Sequence, residues 1–120
     1  MKPEFLILMC EELESMIDLQ SLSFRKNVLW KNPEVGDFAS ALTKLVASAP
    51  ALIHLDFSAM FLGDQETKKV MIDGVYESKT LAAVHLSDNQ ISHWTRLQIY
   101  AKMTTMKERS DLKFYNARDS

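Results

Sequence analysis

The sequence predicts an α/β fold in which one strand–helix unit recurs about three and a half times. Three stretches of the chain align with one another: LQSLSFRKNVL, LIHLDFSAMFL and LAAVHLSDNQI. They begin at Leu19, Leu52 and Leu81, so their starts lie 33 and 29 residues apart. Each has an aliphatic residue at positions 1, 4 and 11 and an aliphatic residue or Phe at position 6. Self-similarity at a nearly fixed period is typical of a repeat architecture.

The alternation inside each stretch predicts a β-strand. Leu22 and Phe24 would point to one face of the first strand, with the intervening side chains on the other face. A single strand cannot bury its apolar face alone, so we expect the strands to stack side by side, about 4.8 Å apart. Parallel neighbours need a crossover, and the residues between the stretches supply one.

The first crossover and the N-terminal segment both predict helices. Asp37 is expected to cap a helix that runs to about Ser48 and ends before Pro50. Pro3, at a first helical position, begins a leading helix. The inward stripe of the first crossover is expected to comprise Ala41, Leu42, Leu45 and Val46.

The later crossovers are also predicted to be helical. We expect a short helix near residues 65–72, weakened in its last turn by Gly74. A longer one is expected from Ser92, as its cap, to about Glu108. Its inward candidates include Trp94, Leu97, Ala101 and Met106.

The whole chain is predicted to form one domain. It divides into a leading helix at 1–18, repeats at 19–51, 52–80 and 81–111, and a partial repeat at 112–120. In the partial repeat Leu112 takes position 1, which puts Tyr115 and Ala117 in the apolar positions 4 and 6. Repeat arrays normally close with capping units, and none is evident here. We therefore expect a longer array, a larger assembly, or pairing with a second copy.

The pattern LxxLxLxxNxL followed by a helix resembles the leucine-rich repeat family. With its period near 30, and with Gly-Asp after two of the stretches (Gly36-Asp37 and Gly63-Asp64), it is similar to the ribonuclease-inhibitor-like and tropomodulin-like branch. The resemblance implies a solenoid with a short curved parallel sheet on its concave side and helices on its convex side. In that family an Asn at position 9 satisfies backbone groups of adjacent coils. Asn27 and Asn89 stand there, and Met60 is expected to interrupt the ladder.

The same resemblance implies that the concave surface consists of outward-pointing strand residues. The predicted binding residues are Ser21, Ser23, Arg25, His54, Asp56, Ser58, His85, Ser87 and Arg118. Across the strands we expect three rows: Ser21, His54, Ala83 and Phe114; Ser23, Asp56, His85 and Asn116; and Arg25, Ser58, Ser87 and Arg118. Such a polar, lightly charged surface suits recognition of a protein partner. The alternative is that these are ordinary solvated strand residues.

Composition and charge exclude several other classes of function. The net charge of −2, with both signs mixed along the chain, gives no electrostatic case for nucleic acid or an anionic membrane. The single cysteine, Cys10, cannot form an internal disulfide, which favours a reducing, cytoplasmic location. The apolar run at 5–10 meets Glu11 and Glu12 at once, unlike a signal peptide. The three glycines are scattered, so no phosphate-binding loop and no cofactor is predicted.

An interaction module is therefore the leading hypothesis, and an enzyme is not. Asp56 and His85, with Ser23 or Ser58, would be the only route to a hydrolase triad, and an open sheet lacks the pocket and oxyanion donors that acyl transfer needs. His54 and His85 lack a clustered carboxylate or thiolate, so no metal is predicted. We expect a non-catalytic protein–protein interaction scaffold. The alternative is a structural subunit of a large eukaryotic assembly, or an actin-regulating cytoskeletal protein.

Overall fold

Four short parallel strands form one sheet, in the order in which they occur along the chain. The computed structural model describes residues 2–29, 31–105 and 112–115. Each strand pairs in parallel with the next, giving the order β1-β2-β3-β4. The prediction of an α/β fold with a parallel sheet is confirmed. The strands are β1 (Ser21–Ser23), β2 (His54–Asp56), β3 (Ala83–His85) and β4 (Lys113–Tyr115).

Helices alternate with the strands in the described residues. They are α1 (Pro3–Leu13), α2 (Val35–Ser48), α3 (Asp64–Lys69) and α4 (His93–Met103). Ser92 caps α4 as predicted, because its Oγ accepts the Thr95 N–H at 3.1 Å. The start of α1 at Pro3 and the end of α2 at Ser48 are also as predicted. Two bounds differ: α2 begins at Val35, so that Asp37 lies in its first turn, and α4 ends at Met103.

The second crossover is longer than predicted. After α3 the chain continues as a π-helix, Val70–Val75, in which the Tyr76 N–H donates to the Met71 carbonyl. Gly74 lies inside this segment and does not end it. Helix α2 passes so close that a Cβ at Gly74 would lie 3.3 Å from the Thr43 Cα. The lack of a side chain at Gly74 therefore allows this close approach, and an added methyl group would make a tight contact with α2.

The core is organised around one row of side chains that crosses the sheet. Leu22, Leu55 and Val84 lie in register and are buried, as the alternation predicts. Phe114 completes the row opposite Val84 and packs against the core. The predicted register of the last strand, with Tyr115 inward, is therefore wrong by one residue. Phe114 has no polar atom to satisfy, so it takes the core position and leaves the Tyr115 hydroxyl on the other face.

The buried residues of α2 were predicted correctly, whereas those of α4 were not. In α2, Leu42, Leu45 and Val46 are fully buried, and Ala41 is partly buried. In α4 the buried residues are Thr95 and Ile99, whereas the predicted Trp94 and Leu97 are exposed by 68% and 48%, and Ala101 is exposed too. Met106 lies outside the described residues.

The same left-handed turn follows each of the first three strands. Lys26, Ala59 and Asp88 stand at position 8 of their stretches and have φ of 69°, 55° and 57°. The N–H of Lys26 donates to the Ser58 carbonyl, and that of Ala59 donates to the Ser87 carbonyl in the same way. These three residues share no chemistry that would predict the turn. The backbone of the units is therefore more regular than their side chains.

Asn89 connects two neighbouring units through buried backbone groups. Its Oδ1 accepts the Leu62 N–H at 2.9 Å, and its Nδ2 donates to the Phe57 carbonyl at 2.9 Å and to the Leu86 carbonyl at 3.1 Å. This is the role that an Asn at position 9 was expected to play. Asn27 binds only within its own unit, where its Nδ2 donates to the Phe24 carbonyl at 3.0 Å.

At Met60 the backbone carbonyl provides the hydrogen-bond acceptor that the side chain provides at Asn89. The Leu29 N–H, which corresponds to that of Leu62, donates to the Met60 carbonyl at 2.8 Å. The Met60 side chain is fully buried and fills the space of the missing amide. The side-chain ladder is interrupted here as expected, and a backbone carbonyl takes over the acceptor's role.

Asp64, at the start of α3, fastens α4 to the preceding unit. Its Oδ1 accepts the Ser92 N–H at 2.6 Å, and its Oδ2 accepts the hydroxyls of Thr95 at 2.6 Å and Ser92 at 3.1 Å. Burial raises the pKa of Asp64, but these hydrogen bonds and the charge of Lys68 outweigh it and hold that pKa below its ordinary value. The contact explains why Thr95, a polar residue, is buried.

Replacing Asp64 should therefore cost stability that depends on pH. A carboxylate whose pKa falls on folding contributes stability above its unfolded pKa of about 4, and that stability is lost as the pH falls through the folded value. We expect Asp64→Asn to lower the free energy of unfolding by about 1 kcal/mol at neutral pH, a value reduced for solvent screening. Urea unfolding from pH 7 to pH 3 would show the gap between the two proteins closing on acidification. Asp37→Asn, at the exposed equivalent in the first Gly-Asp pair, is the matched control and should change little. A gap that stays constant with pH would contradict this account.

Candidate binding face

Among the described residues, no helix covers one face of the sheet, which we call the open sheet face. The central residue of each strand points to the core, so the two flanking residues point outward. Ser21, His54 and Ala83 lie in register, and so do Ser23, Asp56 and His85, which matches the predicted rows. The fourth strand adds Lys113 and Tyr115 where Phe114 and Asn116 were expected. The open sheet face thus comprises Ser21, Ser23, His54, Asp56, Ala83, His85, Lys113 and Tyr115.

Three rings contact one another across this face and form what we call the ring ladder. The His54 and His85 rings are 4.7 Å apart between centroids and inclined at 52°, and the His85 and Tyr115 rings are 4.5 Å apart and nearly parallel at 13°. The Ser21 Oγ lies 3.4 Å from the His54 Nδ1 at one end. His85 and Tyr115 are register partners on adjacent strands, so the strand spacing of roughly 4.8 Å sets their rings at stacking distance. His54 contacts His85 diagonally, from the neighbouring row. The ladder presents ring faces, imidazole nitrogens and a phenol to solvent.

Tyr115 is the member of this ladder that the sequence pattern missed. It was assigned to the core because the partial repeat was aligned on Leu112. The usable signal was the adjacent Phe114, a better core residue than Tyr115. Aligning the repeat on Phe114 would have put Tyr115 beside His85.

The third predicted row does not form one exposed line. Arg25, Ser58 and Ser87 lie beyond the strands, where the chain enters the left-handed turn, so strict alternation has ended. Arg25 is exposed, Ser87 is half-buried, and Ser58 is buried at 5% exposure. Ser58 is therefore removed from the candidate surface. Arg118, the fourth member of the row, lies outside the described residues, as does Asn116.

The side chains that would have to form a hydrolase triad are engaged elsewhere. The Asp56 Oδ1 accepts the Ser58 N–H at 2.9 Å, and the Ser23 Oγ accepts the Arg25 N–H at 3.3 Å. Both interactions close the turn that follows the strand, and neither aligns His85 as a base. The geometry on this face serves binding better than acyl transfer.

A buried cysteine and a small cavity lie away from the open sheet face. Burial raises the pKa of Cys10 to about 12, with Glu14 and Glu11 adding to the effect, so its thiol stays protonated on the buried side of α1. A small apolar cavity between α4 and the sheet is lined by Met71, Leu86, Ile99 and Phe114 among others, and it offers no cluster of acids or bases. Neither feature provides a reactive centre.

Comparison with models of known protein families gives no match, and comparison with curated proteins gives no significant match either. The parts of the chain that the structure describes contain no group of three or more His, Cys, Asp or Glu side chains that could hold a metal ion. Across those same residues, every helix is too short or too polar to cross a bilayer.

Proposed function

We propose that this chain is a leucine-rich repeat solenoid that binds a protein partner, without catalysis, through the open sheet face as its concave side. The family assignment rests on the repeated LxxLxLxxNxL pattern and on the equivalent turns at Lys26, Ala59 and Asp88. The hydrogen bonds that Asn89 makes to the preceding unit support it as well. The single observation that carries the binding proposal is the ring ladder.

The ladder suits recognition of a polypeptide for a physical reason. Tyr115 is exposed and both histidines are half-buried, and the contacts between the rings restrict their rotamers, so little side-chain entropy is lost on binding. The two imidazoles add hydrogen-bonding nitrogens. Arg25 and Lys113 are cationic and Asp56 is anionic, so the charges around the ladder are mixed. A mixed pattern favours a protein over a nucleic acid, whose phosphates call for a basic surface.

The size of the surface limits the affinity to be expected. Four strands span about 14 Å, which is three spacings of roughly 4.8 Å. A face of this width can bury much less area than the ~800 Å² per partner of a standard interface. We therefore expect the turn residues Arg25 and Lys26 to widen the contact, and the rings to contribute most of the binding energy.

Site-specific photo-crosslinking tests the proposal. A photoreactive benzophenone amino acid at Ser23, on the open sheet face, should capture a discrete protein from native extract, and the same group at exposed Lys44 of α2 should not. With the captured partner purified, His85→Ala should weaken binding by about tenfold or more, the loss of one ring contact at a binding centre. Lys44→Ala is the matched control.

Equal capture from both positions, or binding unaffected by His85→Ala, would contradict a role for the open sheet face. Substrate turnover that His85→Ala abolishes would instead favour the hydrolase alternative.

The alternative of a structural or cytoskeletal subunit, held through its ends, has one observation in its favour. Helices α1 and α4, at opposite ends of the helix layer, keep large apolar side chains exposed, among them Phe5 and Trp94. Substitution of these residues should then disrupt assembly while His85→Ala does not. Co-sedimentation with filamentous actin tests the actin-regulating version, and a protein that stays in the supernatant would eliminate it.

A further inference from the structure

The turns that follow β1 and β2 expose two apolar side chains at equivalent positions. Val28 stands at position 10 of the first stretch and Phe61 at position 10 of the second. They are exposed by 57% and 44%. The Leu29 N–H donates to the Met60 carbonyl, so the two turns run side by side at this point. Apolar surface is therefore exposed on two neighbouring units, beyond the carboxyl ends of their strands.

Phe61 has a backbone conformation that is unfavourable for its residue type. Its φ of 54° lies in the left-handed region, where Gly and Asn are usual and an aromatic residue is an outlier. The third stretch carries the polar Gln90 at the same position, so the repeat itself does not require an aromatic side chain there. Strained residues of this kind cluster at binding sites, because function retains them against their cost in stability.

The exposure of Phe61 does not depend on the ends of the array. Strand β2 pairs with β1 on one side and with β3 on the other, so the second unit has a described neighbour on each flank. Repeat units contact one another only through these flanks. The ring stays exposed because it lies beyond the end of the strand, and not because a neighbouring unit is missing.

The turn of the first unit is positively charged. Residues 19–33 carry three basic residues and no acidic one. Arg25 and Lys26 are exposed, and neither forms an ion pair with another described residue. At the position of Lys26 the second unit has Ala59 and the third has Asp88, about two strand spacings away. That distance is comparable with the Debye length at physiological salt, so an anionic group beside Arg25 and Lys26 is attracted.

We propose that these turns bind a segment of another protein in which an apolar side chain is flanked by acidic residues. The apolar side chain contacts Val28 and Phe61, and the carboxylates pair with Arg25 and Lys26. We call these four residues the turn surface. Surface ion pairs alone contribute little, and two apolar side chains alone offer little area, so the occupant has to supply both kinds of contact. The inference rests on the proposed function in that the partner is a protein, but it does not depend on the ring ladder.

The affinity for an isolated segment should be modest. Val28 and Phe61 together expose on the order of 150 Å² of side chain, far less than a standard interface buries. We expect a Kd on the order of 100 µM for a short peptide, weakened by added salt because the ion pairs contribute.

A titration followed by heteronuclear NMR, with the 120-residue chain and two synthetic peptides, tests the proposal. The acidic peptide has one Phe flanked on both sides by Glu, and the basic peptide has Lys in place of each Glu. The acidic peptide should shift the amide signals of Val28 and Phe61, and the basic peptide should not. Phe61→Asn should weaken binding of the acidic peptide about tenfold. Asn suits the left-handed backbone, so the fold should be retained. Ile53→Asn is the matched control, because Ile53 is exposed by 46% just before β2, at the opposite edge of the sheet.

Reversal of the charges tests the ionic half of the turn surface. Arg25→Glu with Lys26→Glu should lose the acidic peptide and bind the basic peptide with an affinity like that of the wild type for the acidic one. A variant that had merely unfolded would bind neither. Lys44→Glu with Lys79→Glu changes the net charge by the same amount at two exposed lysines elsewhere, and it should bind the acidic peptide as the wild type does.

Three results would overturn the proposal: no shifts with up to ~1 mM acidic peptide, equal affinities of Phe61→Asn and Ile53→Asn, or no gain of the basic peptide on charge reversal. The outcome can be separated from that of the open sheet face. If the acidic peptide fails to bind while crosslinking at Ser23 captures a partner, the turn surface alone is wrong. If the peptide binds as described while crosslinking captures nothing, the open sheet face alone is wrong.

Discussion

Asn89→Leu is expected to lower the free energy of unfolding by about 3 kcal/mol, the loss of several hydrogen bonds to buried backbone groups. The substitution keeps the approximate size of the side chain and removes both of its polar atoms. The Leu62 N–H then has no acceptor, and the Phe57 carbonyl loses the donor that joins it to the next unit. An unpaired buried N–H is costly because water cannot replace the lost partner.

Asn27→Leu is the matched control at the same position of the first repeat. It removes one side-chain hydrogen bond, to the Phe24 carbonyl, which the Asn27 backbone N–H also contacts at 3.2 Å. We expect a loss of about 1 kcal/mol, the usual value for a single bond. Urea denaturation followed by circular dichroism would compare the two variants. Equal losses would show that Asn89 does not act between units.

The parts of the fold that could be predicted follow from local rules. Alternation with a period of two put Leu22, Leu55 and Val84 on one face, and the need to bury that face required the strands to stack in register. In α2 the apolar stripe is strong enough to identify its buried side without tertiary information.

The inward face of α4 could not be predicted by the same rule. A hydrophobic pattern assigns apolar residues inward, whereas Thr95 is buried because its hydroxyl donates to Asp64 of the preceding unit. Asp64 precedes Thr95 by 31 residues, so the contact can be recognised only when the packing of the two units is known. Trp94 precedes Thr95 by one residue and therefore lies about 100° around the helix from it, which leaves the indole exposed.

The candidate binding face was predicted where strand alternation holds and missed where the chain turns. Ser21, Ser23, His54, Asp56 and His85 lie as expected in the two strand rows. Ser58 does not, because it lies beyond the strand, next to the positive φ of Ala59, where strict alternation no longer holds, and it is buried. The residue with positive φ is a different amino acid in each repeat, so the sequence pattern did not predict the turn.

A substitution at Met60 tests whether the hydrogen bonds around position 9 of the second stretch are made by the main chain. Met60→Asn would place at position 9 of the second stretch the residue that the first and third stretches carry there, and the repeat pattern alone predicts a gain in stability. We expect a loss of about 3 kcal/mol, because burial of the Met60 side chain is forfeited and the new amide is left underbonded. The groups that it would have to bind are already occupied. The Leu29 N–H donates to the Met60 carbonyl, and the Phe24 carbonyl accepts from Asn27.

Met60→Leu separates the two contributions. Leucine keeps the position apolar at nearly the same volume and should cost less than about 1.5 kcal/mol. Denaturant unfolding of both variants beside the wild type makes the comparison. If Met60→Asn proved as stable as the wild type, the Leu29 N–H would have to donate to the new Asn side chain in place of the backbone carbonyl of residue 60, as the Leu62 N–H donates to the Asn89 side chain. The interruption of the ladder would then be a property of the methionine side chain alone, because the backbone of the second unit could accommodate either arrangement.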